Sequence, residues 1–76
     1  MDEPVFLDAK GLKCPLPVLR ARKAMQSVPP GGLLRIEATD PGAEQDFAHF
    51  CSVAGHQMVE SGHDGAVLRF LIRKAG

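Results

Sequence analysis

Two proline clusters set the firmest limits on what this chain can form. Pro15 and Pro17 stand one residue apart, and Pro29-Pro30-Gly31-Gly32 follows further along. Proline has a fixed φ and no N–H, so neither cluster fits a helix interior. Pro15 and Pro17 do fit a first helical turn, where backbone N–H groups have no intrahelical partner anyway. A helix can therefore begin at this first pair and must stop before the second cluster. Within that window Val18, Ala21, Met25 and Val28 recur at i, i+3, i+7 and i+10, while Arg20, Arg22 and Lys23 make the opposite face basic.

A second helical window starts at Asp40, expected as N-cap with Pro41 in the first helical position. Its stripe is Ala43, Phe47, Phe50, Cys51 and Ala54, and Gly55 closes it as C-cap. Around these windows lie β-rich runs. Val5-Phe6-Leu7 is short and ends at Asp8. Leu33 to Ala38 alternates with Leu34, Ile36 and Ala38 on one side. Val67 to Arg73 places Leu68, Phe70 and Ile72 on one face and Arg69, Leu71 and Arg73 on the other. Gln57 to Glu60 is a weaker strand, joined to the last through Gly62-His63-Asp64-Gly65, whose Asp-Gly step signals a hairpin. The order β-α-β-α-β-β with short connections predicts an α/β (α+β) two-layer sandwich, a four-stranded mixed sheet with two helices on one face. At 76 residues, 45% of them apolar and 24% charged, the chain has material for one core, hence a single domain over 1–76.

No apolar run approaches the roughly 20 residues of a membrane-crossing helix, and the acidic start Met1-Asp2-Glu3-Pro4 is unlike a signal peptide. A cytoplasmic protein without membrane contact is the expectation. Two cysteines are too few for a disulfide framework and are expected to be reduced. The formal net charge is zero, but the charges come in blocks. Residues 9–35 hold only bases and residues 36–66 only acids. Such a dipolar surface can steer a charged partner.

The sharpest local feature is Gly11-Leu12-Lys13-Cys14-Pro15-Leu16-Pro17. With the prolines in the first helical turn, Cys14 is expected at the N-cap. Its sulfur then meets the positive end of the helix dipole, with Lys10 and Lys13 upstream and Arg20 and Arg22 beyond. Such surroundings lower a thiol pKa from about 8.5 toward roughly 3.5 to 7.5, so a reactive thiolate is expected. A purely structural cysteine fits less well, since Ser, Thr, Asp or Asn cap better. A redox dithiol needs Cys-x-x-Cys, and position 17 is proline. No local signature of a Cys-His-Asn hydrolase surrounds the cysteine.

The pattern Leu7-Asp8-Ala9-x-Gly11-Leu12-x-Cys14-Pro15-x-Pro17 resembles the signature of the TusA/SirA-like sulfur-carrier family. The likeness continues through Thr39-Asp40-Pro41, Asp46, Phe50-Cys51, Gly55-His56 and Phe70-Leu71-Ile72-Arg73-Lys74, essentially the whole chain. The resemblance implies the same β-α-β-α-β-β fold and a carrier cysteine, Cys14, that takes sulfane sulfur as a persulfide and hands it on. It also implies two kinds of protein partner, a donor of the cysteine desulfurase or rhodanese-like kind and an acceptor. The family's pathways include transfer-RNA thiolation, molybdenum-cofactor enzymes and sulfur oxidation. Pro15 and Pro17 are expected to stiffen the perch, and Lys10 and Lys13 to steady the anion. Leu16 with Arg20 and Lys23 is expected to dock partners, because these side chains lie away from the Val18, Ala21, Met25 stripe.

No cofactor is expected and no metal. Cys51 sits in an apolar stripe, and its spacing to His56, like the positions of His49 and His63, matches no common ligand pattern. Asp46 is expected to be structural or solvated. Direct nucleic-acid binding through Arg20, Arg22 and Lys23 is the main competing reading of the basic helix, as part of a small regulatory or protein-binding module. The absence of Trp and Tyr and the neutral balance speak against it. A ubiquitin-like thiocarboxylate carrier would use Gly76, but Lys74-Ala75-Gly76 lacks a double glycine. A monomer is expected.

Overall fold

A computed structural model describes residues 4–75. The elements are β1 (Val5–Ala9), α1 (Leu16–Met25), β2 (Leu33–Ala38), α2 (Ala43–Ala54), β3 (Gln57–Asp64) and β4 (Val67–Arg73). The strands form one mixed sheet in the order β1-β2-β4-β3, with β1 and β2 parallel and the other pairs antiparallel. This is the expected α+β sandwich. No helix among the described residues is long and apolar enough to cross a membrane.

The core lies between one sheet face and the two helices. Leu34, Ile36 and Ala38 of β2 and Phe70 and Ile72 of β4 are buried there, as their alternation requires. From α1 come Pro17, Ala21 and Met25, with Val28 buried just beyond the helix end. From α2 come Ala43, Phe47, Phe50 and Cys51, while Ala54 is exposed. Phe47 and Phe70 anchor the contact between layers, with ring centroids 4.9 Å apart. Such pairs contribute about 0.5–1.5 kcal/mol beyond area burial. Gly55 ends α2 in the left-handed region at φ 79°, and its N–H donates to the Cys51 carbonyl.

The far sheet face is charged. Lys10 pairs with Asp8 at 3.1 Å and with Glu37 at 2.9 Å, and Arg69 lies 3.6 Å from Glu37. Leu71 shares this face yet is buried. In register it is flanked by Arg35 and Glu60, whose side chains meet 3.9 Å apart.

Strand β3 departs from the sequence expectation. It runs to Asp64, through the Gly62-His63 stretch read as a connection, and shifts register between Met58 and Glu60. Its residues are almost all exposed, so little hydrophobic pattern marks it. Pairing with β4 supplies the order that local sequence does not. The hairpin loop shrinks to Gly65-Ala66, and Gly65 provides the positive φ, 63°, that a tight two-residue loop needs at its first position.

Burial pushes the Cys51 thiol above its ordinary pKa. Iodoacetamide is therefore expected to label one thiol in the native protein and two in denaturant. Cys51→Ala is expected to cost on the order of 1 kcal/mol in a denaturant titration, through a small cavity under α2. Rapid native labelling of Cys51, or an unchanged midpoint, would contradict its core position.

Candidate functional site around Cys14

Parallel pairing of β1 with β2 places Ala9 opposite Ala38, so the segments leaving both strands emerge side by side. Crevices at the carboxyl ends of parallel strands are where α/β sheets place their functional groups. The first segment carries Cys14 and the second carries Asp40, with α2 rising directly behind. Two hydrogen bonds tie the segments together. The Gly11 N–H donates to Thr39 Oγ1 at 2.9 Å, and the Cys14 N–H donates to Asp40 Oδ2 at 3.2 Å. Leu12 anchors the loop by packing on the core, and its N–H donates to the Ala9 carbonyl.

Three expectations are corrected here. Pro15, not Cys14, is the N-cap of α1, with Leu16 and Pro17 opening the helix; Cys14 precedes it across a cis Cys14–Pro15 bond. Asp40 does not cap α2 with its side chain. Gly42 is the N-cap there, and only the Asp40 backbone carbonyl serves the helix, accepting from the Ala43 N–H. The Asp40 carboxylate turns the other way because the Cys14 N–H, outside both helix and sheet, needs an acceptor.

The third correction concerns charge. The Cys14 thiol donates to Asp46 Oδ2 at 2.6 Å, from the first turn of α2. That hydrogen bond holds the Cys14 pKa above its ordinary value, and loss of hydration and the negative charges of Asp46 and Asp40 add to it. The depressed pKa and resting thiolate inferred from neighbouring bases do not occur. Lys10, one of those bases, has its ammonium committed to Glu37 and Asp8, which hold it charged above its ordinary range. Lys13, Arg20, Arg22 and Lys23 are exposed, and none hydrogen-bonds the sulfur. Proximity along the chain did not translate into proximity to the thiol.

Cys14 is an exposed free thiol and Cys51 a buried one. Pro15 is exposed beside the sulfur, whereas Pro17 is fully buried and pins the start of α1 to the core. Leu16 and Leu19 are 45% and 48% exposed, and Arg20 and Lys23 of the same helix are exposed as well, so α1 presents apolar and basic side chains to solvent together. Between α1 and α2 runs an open cleft of about 690 Å³, lined among others by Pro15, Val18, Arg22, Asp46, His49 and Phe50. It ends at Pro15 and Asp46, the immediate neighbours of Cys14.

The Cys51–histidine grouping does not form: Cys51 is in the core and His56 accepts the Ala75 N–H at Nδ1. Cys14, Asp40 and Asp46 bring three potential donor atoms within 4.8 Å of one another, the one such grouping among the described residues. The hydrogen bond donated by the thiol to Asp46 Oδ2 accounts for the short contact, and no ion is assigned to it. Asp46, read from sequence as structural or solvated, is the main addition. It is 32 residues from Cys14, and the one sequence signal that pointed to it was its place in the family resemblance, since its position in the first turn of α2 emerged only with the structure.

Comparison with known proteins places the chain in a family. Residues 5–74 match the family model of the sulfurtransferase TusA. The chain is 45% identical over 69 residues to the sulfur carrier protein TusA of Allochromatium vinosum, covering 91% of both. It is 43% identical to the putative sulfur carrier protein YrkI of Bacillus subtilis, over 97% of this chain and 99% of that one. With TusA of Pseudomonas paraeruginosa it shares 41% identity over 97% and 96% of the two chains. Among solved structures, a SirA-like protein from Desulfitobacterium hafniense superposes with a TM-score of 0.81 at 26% identity, over 95% of this chain and 99% of that one. Sequence likeness over nearly full length and the shared fold point the same way: the chain belongs to the TusA family of sulfur carriers.

Proposed function

We propose that Cys14 is the residue on which this carrier holds sulfur, as a persulfide received from one protein and delivered to another. The observation that carries this reading is the contrast between the two thiols: Cys14 is exposed at the end of the parallel strand pair, and Cys51 is buried in the core. Loading forms a bond between Cys14 Sγ and the outer sulfur of a donor persulfide, while the donor's own S–S bond breaks and its cysteine leaves as thiolate. The Cys14 proton balances that thiolate. Delivery is the same exchange with Cys14 as the departing group, so no external oxidant or reductant is consumed. In this sense the protein is a sulfurtransferase that works as a relay, not as a classical single-substrate enzyme.

A relay benefits from a rigid sulfur with no second thiol in reach, since a neighbour would discharge the persulfide as a disulfide. Pro15 and Pro17 stiffen the perch. Lys10 serves it indirectly, by fastening the end of β1 to Glu37 on β2. Lys13 remains an exposed charge beside the motif. Donor and acceptor both have to reach the same sulfur, and the exposed Leu16, Arg20 and Lys23 form the contact they share. Donors of the cysteine desulfurase or rhodanese-like kind fit the persulfide chemistry. The protein acts as a monomer, without nucleic acid held directly, in a reducing compartment such as the cytoplasm, where both thiols stay free.

Cys14→Ser is expected to fold normally and to lose the sulfur adduct of about +32 Da that a persulfide donor places on wild type, as read by intact mass. A persisting adduct in the folded variant would refute Cys14 as carrier. Arg20→Glu with Lys23→Glu is expected to slow transfer from a protein donor several-fold at low salt and to flatten its salt dependence, with alkylation by iodoacetamide unchanged. Equal transfer rates at low salt would remove α1 from the docking surface.

A further inference from the structure

The hydrogen bond between Cys14 and Asp46 is the shortest polar side-chain contact in the site, and its direction has chemical content. A carboxylate only accepts, so the proton belongs to the sulfur. The other charged groups around the sulfur do not offset the carboxylate. Asp40, from the β2–α2 segment, adds a second negative charge within 4.8 Å. Lys10 is occupied on the far sheet face. Lys13 precedes Cys14 in the loop without contacting Sγ. Arg22 of α1 and His49 of α2 line the cleft together with Asp46, and neither is hydrogen-bonded to the sulfur.

Resting on the reading that Cys14 carries sulfur, we propose that Asp46 is the residue that makes the carrier retentive: it holds the proton of the empty thiol and keeps Cys14 a poor leaving group once loaded. Two consequences share this cause. The empty carrier presents a thiol instead of a thiolate, and the thiolate is the species that electrophiles and oxidants attack. The loaded carrier resists small thiols for the converse reason. When a thiolate attacks the outer sulfur, a new S–S bond forms to the attacker. The bond from Sγ to that outer sulfur breaks, and its electron pair stays on Sγ. The departing Cys14 thiolate is thereby left facing Asp46 and Asp40, and a leaving thiolate that is poorly stabilised leaves slowly. The raised pKa of Cys14 is in keeping with this arrangement.

The test compares wild type with Asp46→Asn and Asp46→Glu, all in a Cys51→Ala background so that one thiol reports. The pH profile of iodoacetamide alkylation is measured on the empty proteins. Each is then loaded with inorganic polysulfide and treated with dithiothreitol at pH 7. There the first thiol takes the outer sulfur and the second closes the ring, so dithiothreitol is oxidised to its cyclic disulfide and the sulfane sulfur is reduced to hydrosulfide, which is quantified. Asp46→Asn is expected to move the alkylation midpoint down by about one pH unit. With a Brønsted coefficient of about 0.4–0.5 for the attacking thiol, that shift makes alkylation at pH 7 about threefold faster, and hydrosulfide release is expected to quicken as well because a thiol of lower pKa leaves faster. Asp46→Glu, which keeps the charge, is expected to stay nearer to wild type in both, and it stands in if the Asn variant fails to fold, with Asp46→Ser as the uncharged partner. An unmoved midpoint in a folded, uncharged variant overturns the proton contact, whereas a moved midpoint with unchanged sulfur release overturns retention. If wild type is alkylated but takes up no sulfur from polysulfide, the carrier reading fails and retention fails with it, while the midpoint still judges the proton contact separately.

Discussion

Everything at the site follows from the parallel pairing of β1 with β2. Because Ala9 faces Ala38 in register, the turn carrying Cys14 and the turn carrying Asp40 leave the sheet at the same edge and in the same direction. An antiparallel pair would send them to opposite ends. The pairing is secured from both sides of the sheet. The apolar face buries Leu34, Ile36 and Ala38, and on the charged face Lys10 bridges to Glu37. Of these, the burial dominates energetically, since exposed ion pairs contribute only about 0–1 kcal/mol.

The thiol's electrostatics show why a count of neighbouring charges along a chain can mislead about sign. Between residues 9 and 35 every charged residue is basic, which in isolation argues for a stabilised thiolate. Folding brings the acidic block of residues 36–66 against it through Asp40 and Asp46, while the nearest basic side chain with ion-pair partners, Lys10, is drawn to Glu37 and Asp8. A hydrogen bond at 2.6 Å outweighs a helix terminus whose effect falls off within a turn and begins one residue later than expected. For a carrier that must hold sulfur between encounters, a protonated resting thiol is a coherent design, and its chemistry differs from that of redox cysteines with depressed pKa.

Strand β3 and the relation of Cys14 to its carboxylates mark where local reading ends. Local chemistry decided much of this protein. The proline clusters bounded α1, Gly55 closed α2, alternation in β2 and β4 selected the core face, and the Cys-Pro-x-Pro segment fell at the expected β-to-α junction; all of these depend on a residue's own backbone limits or on short-range periodicity. Tertiary structure decided the rest. Exposed β3 is ordered by its pairing with β4, Asp40 abandons a cap to serve the Cys14 N–H, and Asp46 reaches the sulfur across 32 residues of chain. Distance in space sets a hydrogen bond and the sign of a pKa shift, and sequence separation says nothing about that distance until the strands have paired.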